Sequence, residues 1–193
     1  MSSDGSTTLQ GTPNPEAPNP QLPIVQKLRI RYAKRGRLRF TSHRDFGRAF
    51  ERAVRRSGLP IAFSSGFNPH PKISYAGASP TGAASEAEYL EIGLTQVLDP
   101  KSAQAQLDAS LPPGLDVLQV VEAPPGALAD LLVASHWQIA LPGADSTAVQ
   151  AAAARFLAEP EVLVERMMKK GLRTLDARAA VISLNVVEQD NGV

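Results

Sequence analysis

The first legible pattern along the chain is the alternation of cationic and apolar residues in Lys27-Leu28-Arg29-Ile30-Arg31-Tyr32. A period of two places Leu28, Ile30 and Tyr32 on one face of a strand and lines up Lys27, Arg29 and Arg31 on the other. Residues 34–37, with Gly36, read as a turn and residues 38–41 as a short extension. The period then changes to that of a helix. Phe46, Ala49, Phe50, Ala53 and Val54 fall at i, i+3, i+4, i+7 and i+8 behind the capping pair Ser42 and Asp45, and Gly58 and Pro60 stop the run. Arg48, Arg52, Arg55 and Arg56 lie away from that apolar stripe.

Residues 61–71 carry turn signals, Ser-Ser-Gly and Asn-Pro-His-Pro, and read as a loop. Residues 72–78 and 87–95 read as strands, residues 99–111 as a helix stopped by Pro112-Pro113-Gly114, and residues 115–123 as a strand. The order β-α-β-β-α-β predicts an α+β, ferredoxin-like antiparallel sheet with its helices on one face, spanning residues 26–126. A weaker echo follows over residues 127–193: a strand at 135–141, an alanine-rich helix at 146–158, a strand at 162–168, a turn at Lys169-Lys170-Gly171 and a strand at 179–187. This β-α-β-β order predicts a partial second ferredoxin-like half, which stops before a closing helix and strand and is either incomplete by nature or truncated. Trp137 and Phe156 are read as core residues. Residues 1–25, rich in Pro, Ser, Thr and Asn, read as a disordered tail with neither fold nor site.

Composition sharpens this picture at two points. The 193 residues contain no Cys, which excludes disulfides, thiolate metal sites and cysteine nucleophiles held by this chain. The net charge of +1 conceals a strong segregation. Between residues 27 and 58 twelve cations face only Asp45 and Glu51, a balance of +10, whereas residues 59–165 hold twelve acids against Lys72, Lys101 and Arg155, a balance of −9. No stretch approaches the roughly 20 apolar residues of a membrane span and no signal peptide is evident, so a cytoplasmic protein without membrane partners is expected.

The runs Thr41-Ser42-His43-Arg44-Asp45, Arg52-Ala53-Val54-Arg55-Arg56-Ser57-Gly58-Leu59-Pro60 and Ser64-Ser65-Gly66-Phe67-Asn68-Pro69-His70-Pro71-Lys72-Ile73-Ser74 resemble the radical SAM-linked protein family. Residues 169–178, beginning Lys169-Lys170-Gly171, resemble its second basic motif, and the likeness runs over about residues 27–187. The family is a bacterial domain of unknown function, often C-terminal to a B12-type radical SAM enzyme and in actinobacteria a separate small protein. Arg44 stands where fused members usually carry Leu, and the enzyme's cysteine motif is missing, so the chain resembles the standalone form. The resemblance implies a partnership with a separate radical SAM or RNA-processing enzyme and no cofactor on this chain.

The residues themselves point to a polyanion. Strand cations, turn cations and the exposed side of the helix predict a positive face suited to RNA phosphates. The alternatives are a solvated basic face, pairing with the acidic block, or an acidic protein partner. The loop at 64–72 offers a backbone free to approach phosphate and the donors Asn68, His70 and Lys72, or is simply a rigid turn. The predicted RNA or phosphate site comprises Lys27, Arg29, Arg31, Arg35, Arg37, Arg39, His43, Asn68, His70 and Lys72, extended by Lys169, Lys170 and Arg173. With aromatics at 5% no stacking platform is expected. Glu86, Glu88 and Glu91 read as a solvated strand edge. No metal-ligand constellation or recognised catalytic motif is present, which points to a binding role. Protein scaffolding and metal-independent RNA cleavage by His43 with His70 and Lys72 are the alternatives.

Overall fold

A computed structural model of the chain describes residues 22–188 and divides it into two compact units, one ending at Val133 and the other beginning at Ala134. Most of the expected tail, residues 1–21, and the last five residues lie outside the described part.

The first unit is built from β1 (Gln26–Lys34), α1 (His43–Ser57), β2 (Ile73–Ala76), β3 (Ser85–Leu94), α2 (Pro100–Asp108) and β4 (Leu115–Glu122). The strands form one sheet in the order β2-β3-β1-β4, every neighbouring pair antiparallel. The basic strand β1 is therefore interior, with Ile30 opposite Leu90 on one side and Val120 on the other. Its alternation works as the pattern predicts: Leu28, Ile30 and Tyr32 are buried. They join Leu90, Ile92 and Leu94 in one core with Phe46, Phe50 and Val54 of α1 and Ala103 and Leu107 of α2. Both helices thus cover the same face, and the outward side chains of β1 and β3 occupy the other.

Local chemistry sets the helix ends. The Asp45 N–H donates to Ser42 Oγ at 3.1 Å, satisfying one of the open donors at the start of α1. Gly58 closes the helix in the left-handed region, φ 71°, which a residue with a Cβ adopts at a cost. Asp99 caps α2 in the same way, accepting from the Ser102 N–H at 3.0 Å. The Phe46 ring stacks on Tyr32 at 4.4 Å between centroids and so fastens α1 to the central strand.

Three local expectations change. Residues 36–40 form a 3-10 turn in place of a turn followed by an extended segment, because the Leu38 N–H donates to the Arg35 carbonyl and the Thr41 N–H to that of Leu38. Residues 24 and 25 belong to the folded unit rather than to a tail. The Val25 N–H donates to Leu94 O at 2.9 Å, and Ile24 lies so close over Gly93 that a Cβ there would stand 2.8 Å from Ile24 Cδ1. Two of the three glutamates are not a solvated edge: Glu88 is buried and accepts the Ser79 N–H, and Glu91, where β3 runs between β2 and β1, reaches across to Arg29, while Glu86 is exposed as expected.

The second unit contains α3 (Ser146–Ala158), capped by Asp145, and a hairpin of β5 (Leu163–Met168) and β6 (Gly171–Asp176). The Lys169-Lys170 turn brings Met168 opposite Gly171, so the strand after the turn starts at once. The strands expected at 135–141 and 179–187 are not formed; the sheet of this unit consists of β5 and β6. Trp137 is 54% exposed and is not a core residue, and no described residue of this unit is buried. The architecture is a mixed α+β chain with a four-stranded and a two-stranded antiparallel sheet.

Because Phe50 is wholly buried at the meeting of α1 with the sheet, Phe50→Ala is expected to destabilise the first unit by about 3–5 kcal/mol. Urea denaturation followed by circular dichroism reads this as a lower midpoint; an unchanged midpoint would show that α1 does not pack where the core places it.

Candidate functional site

The strand cations are only partly available. Arg29 donates from Nε and Nη2 to one oxygen of Glu91, at 3.0 and 2.7 Å, and both side chains are nearly covered. Arg31 Nε donates to the Glu86 carbonyl at 2.6 Å. Arg35 bridges Glu86 at 2.6 Å and Asp116 at 2.8 Å, and the hydrogen bonding of its guanidinium to the Glu86 carboxylate is the main reason its pKa lies above the ordinary arginine value. The first acids of the acidic block therefore meet the strand and turn cations inside one sheet. Arg37 and Arg39 are exposed, and Arg39 rests over the Phe40 ring at 4.7 Å.

Lys27 remains free of carboxylates among the described residues, and the fold brings it to the sequence-predicted loop. A cleft of about 290 Å³ on the outer face is lined by Lys27, Ser64, His70, Lys72, Ser74 and Glu91, with Ile24 and Gly93 forming part of its wall. The charge of Glu91 is compensated by Arg29, which leaves Lys27 and Lys72 to dominate the cleft. The loop at its rim is closed by two hydrogen bonds: the Ser64 N–H donates to the His70 carbonyl at 2.8 Å, and the His70 N–H donates to Ser64 Oγ at 3.0 Å. Asn68 stands exposed in this loop and does not line the cleft.

His43 belongs to a different place. It is exposed at the first turn of α1, edge-on to Tyr75 at 5.2 Å, and is not among the cleft residues. The acid–base pair that an RNA-cleaving reading needs, His43 with His70, is accordingly not assembled around one cavity.

The larger uncommitted group is one that the predicted site omitted. Arg44, Arg48, Arg52 and Arg56 recur every four residues along the exposed side of α1, with Arg55 beside them. None forms an ion pair among the described residues; Arg55 lies over Phe63 at 5.6 Å, and Arg56 donates to the Ser110 carbonyl at 2.7 Å. Their helical spacing was the signal available in the sequence. Since α1 covers the core face of the sheet while Lys27 points to the other, the basic segment makes two separate surfaces rather than one continuous face.

Lys169 and Lys170 form the exposed turn of the second unit's hairpin, and Arg173 stands directly opposite Arg166. The base of that hairpin is held by Asp176, which accepts the N–H groups of Val162 at 3.0 Å and Arg178 at 2.9 Å; these bonds, Val162 first, lower its pKa. Among the described residues no group of acids and histidines has the arrangement of a metal site, and no helix is long and apolar enough to cross a membrane.

Residues 27–192 match the model of a protein family described as "Uncharacterized protein conserved in bacteria (DUF2344)". The match takes in both units, and the chain belongs to this family. No curated protein matches it.

Two phenols under α1 carry a pH signature. Burial, then Glu88 and Tyr75, raises Tyr32 far above the usual tyrosine value, and burial, then Glu51, pushes Tyr75 up to about 12. The unfolded chain releases both protons near pH 10 while the folded chain keeps them, so stability is level below about pH 10 and falls as pH rises towards 12. Urea midpoints measured from pH 8 to 12 should show this decline, and a flat profile would contradict it. At pH 7, Tyr75→Phe is expected to be neutral or stabilising, because the Tyr75 hydroxyl is buried without a partner among the described residues.

Proposed function

We propose that this member of the bacterial family binds RNA through its phosphate backbone, with the arginine side of α1 as the principal contact and the Lys27–Lys72 cleft as a second. The observation that carries the reading is the row Arg44, Arg48, Arg52 and Arg56, which has no carboxylate partner among the described residues in a unit that pairs Arg29 and Arg35 with its own acids. At 1.5 Å per residue the row extends about 18 Å, enough to meet several successive phosphates. Guanidinium groups suit the task because they remain charged and offer forked donors to phosphate oxygens.

We read the first unit as ferredoxin-like, on its β-α-β-β-α-β order and its sheet order β2-β3-β1-β4. The resemblance of the Ser64-to-Ser74 run to radical SAM-linked proteins supports an accessory role beside a separate radical SAM or RNA-processing enzyme in the cytoplasm. Separation of His43 from the cleft favours binding over cleavage.

Fluorescence polarisation with a labelled single-stranded RNA at increasing salt tests the reading. Log affinity should fall linearly with log salt, by about 0.7 for each phosphate neutralised. Replacing Arg44, Arg48 and Arg52 together by Ala should flatten the slope by about 2 while leaving the urea midpoint nearly unchanged, since all three are exposed. Salt-independent binding, or a slope that the triple variant leaves intact, would remove the proposal. Capture of one stoichiometric protein by α1, insensitive to ribonuclease, would replace it with a scaffold.

A further inference from the structure

We infer that the loop at 64–70 is a holder for one unpaired nucleotide: Phe67 stacks on the base while Lys27, His70 and Lys72 receive the adjoining phosphate in the cleft. The inference rests on the RNA reading above and specifies the form of RNA taken, a single strand with accessible bases.

Phe67 is 100% exposed. A phenyl ring left wholly in water forgoes the stabilisation that burial would supply, and its place at the tip of a closed loop leaves its face open to a ligand. The loop is not loose at its base. The paired hydrogen bonds between Ser64 and His70 close it, and beneath them buried Phe63 bridges to Pro71. A pinned base with an unpacked aromatic tip presents the ring at little further cost in conformational entropy.

The surroundings select the ligand. Ser64 and His70, the two residues that close the loop, also line the cleft with Lys27 and Lys72, so the aromatic tip lies three residues from an anion-attracting cavity. A flat π-system joined to an anion within a few bonds is the description of a nucleotide. Every base offers a π-face to an aromatic ring, and the exposed Asn68 amide supplies both a donor and an acceptor for a base edge. The cleft, at about 290 Å³, has room for a phosphate and part of a ribose but not for a folded chain. A base within a duplex is covered on both faces, so the fitting ligand is unpaired RNA.

The full chain and its Phe67→Ala variant, titrated with a single-stranded 16-nucleotide RNA and with the duplex of the same sequence, provide the test. Phe67→Ala should weaken single-strand binding about 5- to 150-fold, the equivalent of roughly 1–3 kcal/mol for one base on one ring, without changing the salt slope. Phe67→Trp should retain affinity, and in a Trp137→Phe background its fluorescence should be quenched as RNA is added. Replacing Lys27 and Lys72 by Ala should instead flatten the slope, by about 0.7 each. If the parent chain binds RNA and Phe67→Ala binds equally well, or loses duplex and single strand alike, the nucleotide holder is wrong and the backbone reading stands. If the parent chain shows no salt-dependent RNA binding, both fail. Loss in Phe67→Ala of a ribonuclease-resistant protein partner, with RNA affinity intact, would assign the ring to a protein.

Discussion

The first unit depends on the central position of β1. An interior strand has neighbours on both sides, so each outward cation must find its environment within the sheet. Register supplies the answer: Arg29 lies opposite Glu91 and donates two hydrogen bonds to its carboxylate under nearly complete cover. Were Glu91 absent, Arg29 would be a poorly hydrated charge, and its loss in turn would leave Glu91 exposed to the same penalty. The arrangement explains how a strand carrying four cations, Lys27, Arg29, Arg31 and Lys34, can sit in the middle of a sheet rather than at its edge, where charges are normally tolerated.

That constraint sorts the cations. Arg29 of β1 and Arg35 of the following turn meet Glu91, Glu86 and Asp116, which come from the segment with the opposite charge balance. The cations on α1 face away from the sheet and meet no such partners. The segregation of charge along the chain is therefore partly a folding device, in which non-local strand pairing brings acids to a basic strand, and partly a surplus displayed on a helix. That surplus, together with Lys27 and Lys72 of the cleft, remains unpaired among the described residues to meet a ligand.

Much of this was legible in the residues. The Ser42 cap, the apolar stripe of α1, the Gly58 stop and the inward set Leu28, Ile30 and Tyr32 follow from local periodicity, and the local pattern also supplied the element order of the first unit. What was not legible depended on register or on partners. No local pattern says that Glu91 will oppose Arg29, that Glu88 will turn inward to cap the Ser79 amide, or that Ile24 will fold over β3. The exposed Phe67 escaped for a related reason: a single aromatic in a Pro-rich loop looks the same in sequence whether it packs or projects. In the second unit strands were expected at 135–141 and 179–187, but strand character needs a paired neighbour, and neither segment adds to an edge of the hairpin.

Gly93 has a role that its lack of functional groups disguises. Ile24 Cδ1 occupies the space where a Cβ on residue 93 would begin, and both residues belong to the wall of the cleft. The breadth of that cavity is thus gauged by a hydrogen atom on an interior strand rather than by the loop above it. A methyl group there would act as a spacer, shifting the isoleucine and resizing the cleft without touching a single charged residue.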